Sequence, residues 1–429
     1  MKMYRKKKLM LLTGIVSFII IGYTAFIGIM NKTQFRQNLN DISALPEATT
    51  ALIAFEPQPL SFNRDKPTDI PAYDLDSTNS FQLDFRHVDL SEFDLSESDE
   101  IVRHMMFDTN TVWPQLLPQD FDPQTILENG KKPGLGVKEL HKIGVDGSGV
   151  GIAIIDANPL LLNHDEYKDN LKFYEEIHVG KNTSADMHAS AVSSIAVGKN
   201  IGVAPGADLY YFTSAFWDFE IGIGDSYNFT WMAKAIDRVL EINEILADEN
   251  KIKVISISMG WTRGNKGYNE IISSIKEAQE KGVFVISTSL DKTHGLNFAG
   301  LDRDLASNLD DFSSYSMGSF MSKDEERFNF FVDMIQEECL LVPMDRRTYA
   351  SASGHSDYEY SPDGGFSWCV PYIAGLYALA LQVQPEITPE AFWSTALETG
   401  DSKLVTINDV TFELGKIVNP SRLIERLSN

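Results

Sequence analysis

From about Lys138 to the carboxyl end, strand-length apolar runs alternate with helix-length amphipathic segments. The apolar runs contain almost no polar residues, as expected of strands that are buried on both faces of a sheet. They cover residues 149–156, 207–216, 253–260 and 282–288, and the helical segments between them cover residues 228–248 and 268–281. This alternation predicts an α/β fold with a mainly parallel central sheet.

Three of the apolar runs lead into residues that suit a functional site. Asp156 and Gly260 end the first and the third run, and Asp291 follows the fourth. In parallel sheets, functional groups gather just beyond the carboxyl ends of the strands. We therefore look for chemistry at these positions.

The preceding part of the chain follows other patterns. Asn31 to about Pro71 contains five prolines and little periodicity, which is typical of a linker. Between Phe81 and Glu100, apolar residues recur every two or three positions between acids. A short β-helical coil would have such spacing, but too few turns are present to bury a core. We expect an extended segment packed on the main domain, and predict a linker and N-terminal extension over residues 31–130 before a main domain over residues 131–429.

The amino terminus has the pattern of a membrane anchor. Residues 1–8 contain five basic residues and no acid, and residues 9–30 contain no charge. About 20 apolar residues suffice to cross a bilayer as a helix, and basic flanks favour the cytoplasmic side. We predict a cytoplasmic tail over residues 1–8 and a single transmembrane helix over residues 9–30, with the rest of the chain outside the cell membrane. A cleaved secretory signal is the alternative, and it too exports the body.

Composition narrows the class of partner. The chain has 429 residues and a net charge of −24. Its hydrophobic fraction of 43% and charged fraction of 23% are typical of a packed globular protein. Beyond residue 8 the net charge is −29, from 32 basic and 61 acidic residues. So acidic a body is a poor partner for nucleic acid. The two cysteines, Cys339 and Cys369, do not form a disulfide framework, and we interpret them as small buried residues.

Three residues in separate segments suit nucleophilic catalysis. A serine hydroxyl needs an imidazole to take its proton and a carboxylate to orient that imidazole. The order Asp156, His188, Ser367 is one of three chain orders known for such triads. The relevant segments are IAIIDANPLLLNHDEY around Asp156, HASAVSSIAVG from His188, GVAPGADLYYF from Gly202 and GFSWCVPYIAG around Ser367.

Taken together, these segments resemble the conserved blocks of the subtilisin family of serine proteases, over roughly residues 134–427. The resemblance implies a subtilisin-like three-layer fold in which Asp156, His188 and Ser367 form the catalytic triad. It implies that Ser367 lies where a loop enters a buried helix, whose N-terminal N–H groups point at the reacting carbonyl. We expect Pro371 in the first turn of that helix, where a missing N–H costs little.

The resemblance also indicates a substrate groove. In the family, the segment after the third strand pairs with the substrate peptide as an added strand, and here that segment contains Ser258, Met259 and Gly260. Met259 and Trp261 suggest an apolar preference.

One position departs from the family pattern. Where the family has an oxyanion-binding Asn after the strand that resembles residues 282–289, this chain has Asp291. An ionised Asp cannot donate a hydrogen bond and repels an oxyanion. Either Asp291 is protonated in the closed site, as the corresponding Asp of the related sedolisins is thought to be, or another side chain donates, or the protein has lost activity and kept the groove for binding. The other candidate donors are Thr288, Ser289, His294 and Asn297.

The function predicted from these observations is that of a membrane-tethered serine endopeptidase that forms an acyl-enzyme on Ser367. A catalytically impaired, peptide-binding relative is the alternative, and esterase or transacylase chemistry on the same triad is a third possibility. No cofactor is required, although structural calcium is plausible because many subtilisin relatives bind it. The residues around His164 read as a polar loop rather than a metal site, because no second histidine follows at helical spacing. The expected partners are a peptide or protein substrate and, through residues 9–30, the membrane.

Overall fold

The computed structural model describes residues 56–74, 77, 81–180, 184–218, 227–289, 296–322, 324–336 and 338–428. Residues 56–429 form one compact unit, which takes in much of the predicted N-terminal extension. The predicted transmembrane segment lies outside the described residues. Among the helices in the described ranges, only Phe366–Val383 is long and apolar enough to cross a membrane, and most of it is buried inside the protein.

Helices and strands alternate along most of the described chain. The described helices are α1 Asp99–Arg103, α2 Pro123–Lys131, α3 Val137–Lys142, α4 Met187–Val197, α5 Thr230–Asn243, α6 Tyr268–Glu280, α7 Ser319–Ser322, α8 Glu325–Gln336, α9 Phe366–Val383, α10 Pro389–Thr399 and α11 Pro420–Ser428. The described strands are β1 Phe107–Asp108, β2 Gly151–Asp156, β3 Leu171–His178, β4 Asp208–Ser214, β5 Ile252–Ile257, β6 Phe284–Ser287, β7 Asn297–Arg303, β8 Tyr315–Met317, β9 Cys339–Pro343, β10 Arg347–Ala350, β11 Tyr358–Ser361, β12 Asp401–Ile407 and β13 Val410–Ile417.

The central sheet has the order β3-β4-β2-β5-β6, and all its neighbouring strands are parallel. Every residue of β2 and β6 is buried. Helices α4 and α9 pack together on the sheet, and α5 and α6 form a second pair on it. These helices cover the sheet, as a parallel sheet requires. The predicted α/β fold with a parallel central sheet is confirmed.

Two further sheets lie beyond the central one. One is mixed, with the order β12-β13-β9-β7-β8, and its strands β7 and β9 are parallel. The other is antiparallel, with the order β1-β11-β10. Strand β11 leads into α9 through a loop over residues 362–365, which we call the serine loop. The end of β11 therefore helps to determine where Ser367 lies.

Residues 81–118 form two stacked turns, which we call the N-terminal stack. Three parallel bridges join the turns, at Asp84–Met106, Asp89–Val112 and Asp94–Leu116. The interior is apolar, with Leu90 and Met105 fully buried, and Tyr360 of β11 completes the same cluster. Two turns alone are too few to bury a core, as the sequence indicates. The stack nevertheless buries one, because residues of the main domain such as Tyr360 complete its wall.

Candidate active site

Asp156 ends β2, the central strand of the parallel sheet. Its side chain is 3% exposed. One carboxylate oxygen, Oδ1, accepts a hydrogen bond from the backbone N–H of Asn158 at 3.1 Å. The carbonyl of Asn158 accepts a hydrogen bond from the hydroxyl of Tyr211 at 2.6 Å, which holds the turn after the strand. The other carboxylate oxygen, Oδ2, contacts a second residue of the site.

The second residue is His188, at the start of α4. Asp186 caps this helix and accepts a hydrogen bond from the backbone N–H of His188 at 2.8 Å. The cap fixes the first turn of the helix, so the imidazole reaches the sheet end and its Nδ1 lies 2.6 Å from Oδ2 of Asp156. Burial lowers the pKa of His188, but the charge and hydrogen bond of Asp156 outweigh burial, so the pKa is raised above its usual 6.5. The structure thus joins two of the three predicted triad residues.

Ser367 is the second residue of α9, and Gly365 is the N-cap residue. Its hydroxyl donates to the carbonyl of Ser258 at 3.3 Å, and within the described residues His188 has no hydrogen bond to Ser367. The ring of Trp368, the next residue, lies 5.5 Å from that of His188. All three residues of the predicted triad therefore lie at one end of the sheet, and the hydroxyl of Ser367 points toward Ser258.

The position of Pro371 differs from the prediction. Helix α9 begins at Phe366, so Pro371 lies inside the helix and not in its first turn. Its missing N–H leaves the carbonyl of Ser367, four residues earlier, without a helical donor. The hydroxyl of Ser258 donates to that carbonyl at 2.9 Å. Ser258 and Ser367 are thus joined by two hydrogen bonds in opposite directions.

The predicted substrate segment follows β5 directly. Ser258 and Met259 line a cavity of about 210 Å³, which Asp156 and His188 also line. Gly260 lies against Thr288, since a Cβ atom at this position would be 3.0 Å from Oγ1 of Thr288. The structure therefore brings Ser258 and Met259 to the Asp156–His188 pair, and places Gly260 beside the end of β6.

The candidate oxyanion donors follow β6 in the chain. Asp291 and His294 lie outside the described residues. Of the other candidate donors, Ser289 accepts a hydrogen bond from the backbone N–H of Trp261 at 2.9 Å, and Asn297 begins β7. Trp261 itself is buried, at 3% exposed. The hydroxyl of Ser289 therefore helps to hold the segment after the substrate strand.

A match to a known protein family agrees with this geometry. Residues 142–415 match the Subtilase family, and this region is more than half of the chain. The chain belongs to the subtilase family. Among the residues that the structure describes in this subtilase, no cluster of three or more His, Cys, Asp or Glu side chains is arranged to hold a metal ion.

Solved structures also resemble the chain at low identity. The prenylagaramide maturation protease PagA is 18% identical, with 68% of this chain and 98% of that chain covered and a TM-score of 0.47. The PatG macrocyclase in complex with peptide is 16% identical, with 68% of this chain and 96% of that chain covered and a TM-score of 0.44. At these sequence identities and TM-scores, the similarity to these structures carries no argument about the substrate or the activity of this chain.

Sequence reasoning missed two functional contacts in this subtilase. The first is the capping of α4 by Asp186, which an Asp two residues before His188 could have indicated. The second is the bond from Ser258 to the carbonyl of Ser367. Pro371 signals a freed carbonyl four residues earlier, but the sequence does not reveal which side chain satisfies it.

Proposed function

We propose that this subtilase hydrolyses peptide bonds through an acyl-enzyme on Ser367. His188 takes the hydroxyl proton and later delivers it to the leaving amine, and Asp156 orients the imidazole and stabilises its cation. The observation that supports this most strongly is the 2.6 Å contact between Nδ1 of His188 and Oδ2 of Asp156. This contact leaves Nε2 as the acceptor of the neutral imidazole.

The proton transfer requires Ser367 to turn toward His188. Its hydrogen bond to the carbonyl of Ser258 is 3.3 Å long, well beyond the 2.7–2.8 Å typical of O–H···O bonds. A bond of this length is weak, so rotation of the hydroxyl costs little. Catalytic hydrogen bonds are often long without substrate and shorten in the complex.

The developing oxyanion requires at least two donors. The backbone N–H of Ser367 at the start of α9 is one, because the helix N-terminus directs unpaired N–H groups outward. The second donor comes from the region after β6, through protonated Asp291 or a neighbouring polar side chain. With Asp291 as donor, activity falls as Asp291 ionises at rising pH.

The substrate is a peptide or protein segment bound in extended form along Ser258, Met259 and Gly260. Ile155, Phe216 and Met232 contribute apolar side chains to the cavity that Ser258 and Met259 line beside His188. An apolar side chain therefore fits this wall of the groove. The mechanism requires no cofactor or nucleic acid, and structural calcium stays a prediction.

We also propose that residues 9–30 anchor the enzyme as a single transmembrane helix, with residues 1–8 in the cytoplasm and the peptidase outside. The expected result is that the full chain sediments with membranes and resists extraction by high salt and alkali. External protease should cleave the body in intact spheroplasts. A full chain recovered in the soluble fraction would contradict the anchor.

The test of activity is labelling by a fluorophosphonate probe, in which the oxygen of Ser367 bonds to phosphorus, fluoride leaves and His188 accepts the proton. We expect the full chain to be labelled, and Ser367→Ala and His188→Ala to lose the label. The matched controls are Ser402→Ala and His355→Ala, which remove exposed residues of the same types. Peptide and ester substrate panels then distinguish peptidase from esterase activity.

A peptide-binding protein without hydrolysis is the second candidate. It is favoured by the hydroxyl of Ser367, which faces Ser258 and not His188. For this candidate, no labelling occurs from mildly acidic to neutral pH, and extended peptides bind equally well to the wild type and to Ser367→Ala.

A further inference from the structure

Asp345 is a buried acid that the proposed mechanism does not use. It follows β9, and its backbone N–H donates to the carbonyl of Leu301 in the neighbouring strand β7 at 3.1 Å. The residue is 1% exposed. Its carboxylate therefore lies at the adjoining carboxyl ends of two parallel strands, shielded from solvent.

Both carboxylate oxygens of Asp345 accept hydrogen bonds from backbone N–H groups. Oδ1 accepts from Gly364 in the serine loop at 2.6 Å, and Oδ2 accepts from Ser319 at the start of α7 at 2.6 Å. Such short distances are typical of charge-assisted hydrogen bonds. One side chain thus joins the loop that leads to Ser367 to a segment from a different sheet.

The serine loop is closely fitted to this acid. A Cβ atom at Gly364 would lie 2.5 Å from the carbonyl oxygen of Met344 and 2.9 Å from Oδ1 of Asp345, so no larger residue fits without movement. Gly365 is extended, with φ of −156°, and the helix begins at the next residue, Phe366. A shift of Gly364 therefore reaches Ser367 through one extended residue and the first residue of α9.

The charges around Asp345 are mixed. Burial, followed by the negative charge of Asp302, raises the pKa of Asp345 to about 7, although the hydrogen bonds from Ser319 and Gly364 oppose the rise. The ionisable groups that face it from the packed elements are Asp302 and Arg303 of β7, Arg346 beside it, Asp363 of the serine loop and Cys369 of α9. Burial and the nearby negative charge therefore let this carboxyl group take up a proton at higher pH than an exposed aspartate does.

We propose that Asp345 is a positioning residue, whose ionised carboxylate holds Gly364 and Ser319 together and so aligns Ser367 for attack. The inference rests on the proposed peptidase function. Protonation places a hydrogen on one oxygen, which weakens one of the two N–H bonds and removes the charge that strengthens both. The serine loop is then held less firmly, and attack by Ser367 slows.

The proposal predicts a second ionisation in the dependence of the acylation rate on pH. Acylation already requires neutral His188, so its rate rises with pH through the pKa of that imidazole. The ionisation of Asp345 adds a further rise in the same direction. In Asp345→Asn the side chain has one acceptor oxygen and cannot ionise, so this variant should keep only the rise that belongs to His188.

The test is the rate of fluorophosphonate labelling of the full chain between about pH 5 and 9. We expect Asp345→Asn to be labelled roughly 10- to 100-fold more slowly than wild type at alkaline pH, as misplacement of a reacting group predicts. We also expect its acid limb to show one ionisation where the wild type shows two. In Asp302→Asn a raising charge is removed, so the second ionisation should move to lower pH.

The outcomes separate this inference from the proposed function. If Asp345→Asn is labelled at the wild-type rate, or is slower but keeps both ionisations, Asp345 is not a positioning residue. If the wild type is never labelled, the proposed function fails, and the anchoring by Asp345 is then judged by the amide resonance of Gly364 in ¹⁵N-glycine-labelled protein. A chemical shift of Gly364 that changes with pH near neutrality in the wild type but not in Asp345→Asn supports the proposed contact between Asp345 and the serine loop. A chemical shift that does not change with pH in the wild type refutes it.

Discussion

The hydroxyl of Ser258 makes a bond that α9 cannot supply for itself. The carbonyl of Ser367 would ordinarily accept from the N–H four residues later, but that residue is Pro371. Ser258 donates instead, at 2.9 Å. Ser258→Ala therefore leaves the carbonyl of Ser367 without a donor, and we expect the variant to be destabilised.

The size of the effect follows from burial. Ser258 is 7% exposed, so water replaces the lost hydroxyl poorly. A buried acceptor left unsatisfied costs about 1–3 kcal/mol in the free energy of unfolding. Pro371→Ala supplies the missing N–H inside the helix, so in that background Ser258→Ala should cost less than about 1 kcal/mol, leaving a coupling energy on the order of 1–2 kcal/mol.

The assay compares the wild type, the two single variants and the double variant by urea unfolding, followed by tryptophan fluorescence. Ser402→Ala is the matched control, because it removes an exposed hydroxyl far from α9 along the chain. The four midpoints give the coupling energy when the dependence on urea is unchanged. An equal cost of Ser258→Ala with and without Pro371 would show that the two residues act independently, and would refute the reasoning.

Of four further predictions, two concern the predicted triad, one concerns the helix packing and one concerns the thiols. Asp156→Asn should slow fluorophosphonate labelling on the order of 10⁴-fold, since the imidazole loses its orienting carboxylate; a loss below tenfold would contradict this. The pKa of His188 is raised in the folded protein, so its pairing with Asp156 should stabilise the protein most at pH values below the pKa of the unfolded state. The difference in unfolding free energy between the wild type and His188→Ala should therefore shrink as pH rises through the folded pKa, and a difference that grows would contradict this. Gly375→Ala places a Cβ atom 2.6 Å from Cβ of Val203 and should cost about 1–3 kcal/mol in urea unfolding, whereas Gly415→Ala, with no atom closer than 3.7 Å, should be near neutral. Burial raises the pKa of Cys339 and Cys369, so iodoacetamide should label neither thiol before unfolding, and rapid labelling of the folded chain would show that they are accessible.

The sequence predicted those parts of the fold in which the local pattern of apolar residues agrees with their burial in the structure. The runs at 149–156 and 282–288 correspond to β2 and β6, in which every residue is buried. Strand β3 was missed because polar residues interrupt it. Its Glu175 is buried nonetheless, with an ion pair to Arg238 at 2.9 Å, and such a partner cannot be read from the strand itself.

The site shows the same division between local and long-range information. Asp156 and His188 were predicted from their segments, and their side chains meet at 2.6 Å. The hydrogen bonds from the hydroxyl of Ser258 to the carbonyl of Ser367 and from the backbone N–H of Gly364 to Asp345 join different segments of the chain. No periodicity encodes such pairs, because they depend on which strand ends adjoin in the folded protein.

The N-terminal stack bears on the site through β11. Strand β1 within the stack pairs with β11, with Phe107 opposite Tyr360, and Tyr360 belongs to the buried core of the stack. Strand β11 ends at Ser361, where the serine loop begins, and Asp345 holds that loop at Gly364. Without the stack, β11 would become an edge strand and Tyr360 would lose its buried surroundings. The serine loop is therefore held at one end by an interface with the N-terminal extension and near the other end by a buried carboxylate, so the geometry around Ser367 depends on residues that lie outside the region matched to the family.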